Sequence, residues 1–242
     1  MNQYVAEFLG TFFLILLGNG VVANVVLNKT KGQNSGWIVI TTGWALAVFV
    51  GVVIAGPHSG AHLNPAVSVA LAVADKFAWA EVPAYALSQL IGAAAGSLMV
   101  WFFYYDHFKS TDDINLRAAC FYTQPAILNK GLNFMNELVG TFVLIFTIFY
   151  FTGAELENPK TVVGLGSLGA IPVAFLVWAI GLSLGGTTGY AINPVRDLGP
   201  RIVFFFINKG KAGVCNWSYS WIPVIGPLFG AALAALLFIL LS

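Results

Sequence analysis

Residues 185–201 read GGTTGYAINPVRDLGPR, a polar, glycine-rich passage with charges of both signs and an Asn-Pro pair, set between long apolar segments. The apolar run after it, 202–207, is far too short to cross a bilayer, which takes about 20 residues of helix. Irregular backbone and charge at membrane depth are tolerated only where they are buried in protein or line a water-filled space. The passage is therefore expected to form half of an aqueous pathway, and the rest of the chain should supply the other half.

The composition agrees with a membrane setting. Of 242 residues 58% are hydrophobic and 9% charged, against roughly 25% charged in an average soluble domain. A soluble fold of this size could not hide that much apolar surface, so lipid must solvate much of it. A net charge of +1 gives no electrostatic footprint for nucleic acid. The N-terminal MNQYVAEFLG lacks a basic n-region and a small-residue cleavage site, so the first apolar run is expected to be a retained span. Cys120 and Cys215 have no metal-type spacing; free thiols are the expectation, with a bridge conceivable only on an oxidising face.

Six stretches have the length of a spanning helix: 5–28, 37–57, 83–105, 132–153, 162–185 and 219–241. The longest polar connection, 107–130, divides the chain near its centre, giving repeat one at about 1–106 and repeat two at about 131–242. Two further apolar runs, 63–74 and 192–207, do not fit the span template. Each contains Asn-Pro at its start, as suits a helix N-terminus: Asn is a strong N-cap and Pro is at ease at the first helical position. Each follows a glycine-containing, non-helical lead-in, SGAHL or GGTTGYAI. The chain is expected to enter the membrane as loop and leave as helix, twice.

The two halves match. AEFLGTFFLI at 6–15 aligns with NELVGTFVLI at 136–145; Asn64 follows Glu7 by 57 positions and Asn193 follows Glu137 by 56. The third span of each half carries GxxxG, Gly92 to Gly96 and Gly226 to Gly230, which permits close helix approach. Three full spans per half is an odd number, so the halves must lie in opposite orientations, as an inverted repeat. The sequence thus predicts an all-α membrane protein: six transmembrane helices plus two re-entrant half-helices, in a single channel domain over 1–242.

Inversion brings the half-helices together N-terminus to N-terminus near the midplane. Asn64-Pro65-Ala66 and Asn193-Pro194-Val195 then face each other, both positive dipole ends converging on one point. A water or hydroxyl there must turn its oxygen to the asparagines, which interrupts a proton-conducting file and repels cations. A single Asn could serve as a cap alone; the duplication favours the pore reading. Arg196, in the first turn of its half-helix, stands where the dipole disfavours a cation. A functional role is the default for such a residue, since its five fixed donors can bind hydroxyls and repel cations. The alternative is an ion pair with Asp197 or a surface position. Glu7 and Glu137 are duplicated intramembrane acids, readable as acceptors that pin the lead-in loops, as coupling sites of a transporter, or as snorkelling residues.

SGAHLNPAV and TGYAINPVRDLGP closely resemble the paired signature segments of the major intrinsic proteins, the aquaporin superfamily, and the resemblance covers essentially the whole chain. Val195 departs from the alanine more usual there. The resemblance implies that Arg196 belongs to a narrow filter together with Trp44, Gly181 and Tyr190. It also implies that the carbonyls of Gly60, Ala61, His62, Gly189, Tyr190 and Ala191 line the pore, and that Glu7 and Glu137 are structural. Water-selective members place His at the position of Gly181; here glycine is expected to leave the space open, with Trp44 and Tyr190 as an apolar corner opposite Arg196. Asp197 after the arginine matches the glycerol-conducting branch, whose members often have Phe where this chain has Tyr190.

The expected function is passive diffusion of glycerol and similar small neutral solutes, such as urea or other polyols, with water, excluding protons and ions. A water-selective channel of the same fold is one alternative; an inverted-repeat secondary transporter using Glu7 and Glu137 is another. No nucleophile, base and orienter set marks an enzyme, and no cofactor or metal is expected. The resemblance further implies homotetramers in a lipid bilayer, placed in the cell (inner) membrane of a bacterium with both termini cytoplasmic. That orientation puts Lys76 and Lys160 inside but Lys29, Lys31, Lys109, Arg117, Lys130, Lys209 and Lys211 outside, the reverse of the positive-inside bias.

Overall fold

The computed structural model describes residues 1–156 and 161–242. Its helices are α1 (Gln3–Val26), α2 (Trp37–Ser59), α3 (Pro65–Val73), α4 (Val82–Phe103), α5 (Tyr105–Lys109), α6 (Ile114–Ala119), α7 (Lys130–Phe149), α8 (Ile171–Ser183), α9 (Pro194–Ile207) and α10 (Ile222–Leu241). Among the described residues, six segments are long and apolar enough to cross a membrane: α1, α2, α7, α10, and α4 and α8 each with its short 3₁₀ lead-in. The expected half-helices are α3, of 9 residues, and α9, of 14. At 1.5 Å per residue they reach about 14 and 21 Å, both short of a ~30 Å hydrocarbon core.

The fifth span departs from expectation. Val162 and Val163 are not helical: strand β1 (Ala154–Leu156) pairs antiparallel with β2 (Thr161–Val163). Glycines punctuate the next stretch, Gly166 at φ +54°, and regular α-helix starts only where Pro172 can occupy its first turn. Lys160, placed in an inside loop by the sequence reading, lies outside the described residues.

Packing follows the repeat. In the first half α1 lies against α2 and α4, and in the second α7 lies against α10. The half-helices are exchanged: α3 packs on α10 and α9 on α4. The GxxxG glycines mark close crossings. A Cβ on Gly96 would sit 2.5 Å from the Phe12 carbonyl oxygen, and one on Gly226 2.9 Å from Glu137 Cβ. Gly92 and Gly230 meet the carbonyls of Phe8 and Leu138 as closely. Large apolar side chains such as Ile38, Leu46, Phe103, Phe175 and Leu240 are exposed on the outside, the inverse of a soluble protein and the pattern of a lipid-facing surface.

The connection 107–130 is more than a linker. After α6 the chain turns inward, burying Cys120, Phe121, Tyr122 and Thr123. Cys120 and Cys215 are both free and buried, and burial pushes both thiols up.

Candidate functional site

The lead-in loops and half-helix starts of the two repeats correspond residue for residue at a constant offset of 129, from Ser59 and Thr188 through Asn64 and Asn193. Their backbones share a conformation that L residues seldom adopt. Gly60 and Gly189 have φ +79° and +83°, and Ala61, Leu63, Tyr190 and Ile192 are also left-handed. Placing four non-glycine side chains there costs on the order of 1 kcal/mol or more each, so the surroundings must over-determine the shape.

Glu7 and Glu137 do so. Glu7 Oε1 accepts from Ser59 Oγ at 2.6 Å and His62 N at 2.9 Å, and Oε2 from Leu63 N and Gln89 Nε2, both at 2.7 Å. In the second repeat Glu137 Oε1 accepts from Thr188 Oγ1 at 2.6 Å and Ala191 N at 3.0 Å, and Oε2 from Ile192 N at 2.9 Å. Both carboxylates are buried and their oxygens are taken up by fixed donors. Each therefore acts as an acceptor that gathers the loop's N–H groups on the side away from the lumen.

The two asparagines join the repeats. Asn64 Oδ1 accepts from Ala66 N, capping α3, while Asn193 Oδ1 accepts from Val195 N and Arg196 N, capping α9. Each amide also donates across the pseudo-symmetry: Asn64 Nδ2 to the Ile192 carbonyl and Asn193 Nδ2 to the Leu63 carbonyl, both at 2.8 Å. An amide nitrogen has two hydrogens, so one remains on each Asn.

One cavity of about 230 Å³ runs past these groups. Gly60, Ala61, His62, Asn64, Ala191 and Asn193 border it, together with aliphatic residues such as Val48, Val52, Leu144 and Val177. Pro65, Ala66, Pro194 and Val195 are buried in the helix starts behind it. Gly189 packs against Thr123 rather than bordering the cavity. The His62 ring shares a hydrogen bond with Ser68 Oγ at 2.9 Å and packs edge-on against Phe77.

Of the four residues expected at a constriction, Trp44, Tyr190 and Arg196 border this cavity. The Arg196 guanidinium lies over the Trp44 ring, 4.2 Å from its centre. The Trp44 ring is itself seated on Gly18, where an added Cβ would fall 2.6 Å from Cη2. Gly181 does not leave open space: a Cβ there would sit 2.9 Å from Tyr190 Cζ and 3.1 Å from Thr41 Cγ2. The glycine makes room for the tyrosine ring, which Trp37 also supports edge-on, with the Trp37 indole N–H donating to the Gly181 carbonyl at 3.0 Å. The sequence showed the missing side chain at 181 but not which neighbour would fill its place.

The Tyr190 hydroxyl is shielded from solvent and has no hydrogen-bond partner among the described residues. A buried unpaired hydroxyl costs about 1–3 kcal/mol. Tyr190→Phe is therefore expected to raise the melting temperature in detergent, by an amount equivalent to about 1 kcal/mol. It should leave the ratio of glycerol to water flux within about twofold, since the ring is retained. A lower melting temperature would mean that the hydroxyl is bonded.

Arg196 does not pair with Asp197. Its one side-chain hydrogen bond among the described residues runs from Nη1 to the Phe121 carbonyl at 3.3 Å, leaving most of its five side-chain donors free. Asp197 instead faces away from the pore. Its Oδ2 accepts from Thr123 N at 2.8 Å and Thr123 Oγ1 at 2.7 Å, and it forms a two-pronged pair with Arg201, Nε to Oδ1 at 2.7 Å and Nη2 to Oδ2 at 3.0 Å. Arg201 is fully buried; it further donates to the carbonyls of Cys215, Asn216 and Thr123 and lies over the Tyr122 ring. This second arginine ties α9 to both neighbouring loops and was missed in the sequence. Its position four residues after Asp197 on a helix was the available signal. Ser59 and Thr188 were also missed, though both stand at the repeat offset.

The inverted halves differ at one telling place. The counterpart of Arg196 in the first repeat is Val67, and Arg196 is the one arginine or lysine among the described residues that border the cavity.

A model of the major intrinsic protein family matches residues 1–238. A probable glycerol uptake facilitator protein of Thermotoga maritima is 49% identical over 238 residues, covering 98% of each chain. Glycerol uptake facilitator protein 3 of Lactiplantibacillus plantarum is 51% identical, covering 98% of this chain and 95% of its own. Among solved structures, the aquaglyceroporin from Plasmodium falciparum superposes with a TM-score of 0.84 at 32% identity, over 98% of this chain and 94% of that one.

Proposed function

This chain belongs to the major intrinsic protein family, and we propose from that premise that Trp44, Tyr190 and Arg196 form a filter for glycerol. The protein is an integral membrane channel for glycerol and similar small neutral solutes; it is not an enzyme. The observation that carries the filter assignment is the Arg196 guanidinium set against the Trp44 ring at 4.2 Å, with donors left free. A polyol has a carbon edge and a hydroxyl edge. The first fits the Trp44 and Tyr190 rings; the second fits the guanidinium and the carbonyls of the lead-in loops.

Ion exclusion follows from the same parts. Two half-helix N-termini and Arg196 oppose cations. The remaining Asn64 and Asn193 amide hydrogens hold a permeant oxygen in acceptor orientation, which breaks a proton relay. Glu7 and Glu137 are saturated by loop donors, which argues against the coupled transporter. Water passes as well, with urea or other polyols as further solutes.

We place the chain in a bacterial cell membrane as a single channel domain, in keeping with its bacterial relatives. Both termini are cytoplasmic and the Arg196 mouth faces outward; four copies assemble, each with its own pore. The resemblance supports these assignments.

Stopped-flow light scattering of proteoliposomes under glycerol and water gradients, with and without a proton gradient, tests the function. Glycerol flux no faster than in protein-free vesicles would sink it, and proton-dependent flux would revive the transporter. In Gly181→His the new side chain must displace the Tyr190 ring and enter the constriction. Glycerol flux is expected to fall at least about tenfold, a barrier rise of about 1.4 kcal/mol, with a much smaller loss for water. Equal losses would remove residue 181 from the constriction.

A further inference from the structure

A second cavity, of about 180 Å³, lies away from the pore, between the end of α4, the connection carrying α5 and α6, and the end of α9; Trp101, Tyr105, Lys109, Arg117 and Phe204 border it. Two of these are cations, and neither forms an ion pair among the described residues. Arg117 Nε is shielded from solvent and has no hydrogen-bond partner among the described residues. Lys109 rests over the Tyr105 ring, 4.1 Å from its centre. A guanidinium and an ammonium that border the same space, with no carboxylate among the described residues lining it, are suited to an anion with several acceptor oxygens. The fork of an arginine and the point charge of a lysine match a phosphate.

The height of the cavity identifies the source. Helix α4 ends at Phe103, so Trp101 and Tyr105 straddle the edge of the hydrocarbon, where aromatic belts and lipid phosphates lie. Phe102 and Phe103, next in sequence to Trp101, are 59% and 77% exposed and offer a surface for an acyl chain. Two cations, with no carboxylate among the described residues that border the cavity, would repel the ammonium of a zwitterionic headgroup. We propose that this cavity binds the phosphodiester headgroup of an anionic membrane lipid, held by Arg117 and Lys109, in the leaflet on the Arg196 side.

Native mass spectrometry of the full chain in detergent tests this with dioleoyl phosphatidylglycerol, dioleoyl phosphatidylcholine and dioleoylglycerol as probes. The wild type is expected to retain one phosphatidylglycerol per chain about tenfold more tightly than phosphatidylcholine, as charge-assisted hydrogen bonds allow. The Lys109→Gln/Arg117→Gln variant should lose that preference and keep wild-type glycerol and water flux, since neither residue borders the central pore. Arg117→Lys, which keeps the charge and removes the fork, should fall between the two. Equal retention of phosphatidylglycerol and phosphatidylcholine by the wild type would overturn the proposal without recourse to any variant. So would equal retention of phosphatidylglycerol by wild type and double variant, or retention of dioleoylglycerol as tight as that of phosphatidylglycerol. Displacement of the lipid by millimolar inorganic phosphate would show a soluble-anion site instead.

Discussion

Asp197→Ala is expected to remove about 3–5 kcal/mol of folding stability, the cost of leaving one member of a buried ion pair uncompensated. Asp197 is the only carboxylate on Arg201 among the described residues, and both are fully buried. The same substitution strips Thr123 N and Thr123 Oγ1 of their acceptor. A loss of that size is a large part of the ~5–15 kcal/mol that holds a typical domain folded. The variant should therefore extract poorly from membranes and melt well below the wild type. Asp197→Leu with Arg201→Met supplies the control, because apolar replacement of both members of a buried pair is often neutral or better. The double variant should regain much of the lost melting temperature; if it melts no higher than Asp197→Ala, the pair is not the source of the loss.

Glu137→Gln should act on the pore more than on the fold. The glutamate gathers Thr188 Oγ1, Ala191 N and Ile192 N, and a glutamine presents an NH₂ group to donors that need an acceptor. Losing charge-assisted hydrogen bonds costs about 1.5–3 kcal/mol each. The segment released holds Tyr190 and Ile192 in left-handed conformations and lies between the cap Asn193 and the filter ring. Glycerol and water flux should both fall at least about tenfold, at similar amounts of reconstituted protein. Glu7→Gln should lose less, since Gln89, whose Oε1 has no partner among the described residues, can turn its amide to meet the new side chain. Wild-type flux in Glu137→Gln would show that the loop keeps its shape unaided.

Much of this architecture was legible because it is written twice. The paired Asn-Pro motifs, the paired glutamates and an odd number of spans per half imply inversion, and inversion brings the half-helices together without any knowledge of contacts. Single-copy features were harder to see. Arg201 and Thr123 belong to one network but lie 78 residues apart, and neither has a counterpart in the other half to mark it. Gly181 is expected from the sequence to leave open space, and only three dimensions show the Tyr190 ring occupying it. The fifth span was placed too early because the hydropathy of Val162 and Val163 suits a strand as well as a helix, and only the glycines and Pro172 beyond them decide where helix begins.

The exchange of hydrogen bonds between the asparagines has a bearing on how the chain is made. Asn64 reaches the carbonyl of a residue 128 positions later, and Asn193 reaches back by 130. At synthesis rates of about 5–20 residues per second, the first half exists for on the order of ten seconds before its midplane partner has been made. Through that interval the Leu63 carbonyl lacks its final donor, and α3 lacks the surface of α10 on which it comes to rest. The centre of the molecule therefore closes only when both halves are present. Reciprocal bonding makes the appearance of permeability a late, joint event in biogenesis, with no working intermediate built from one half alone.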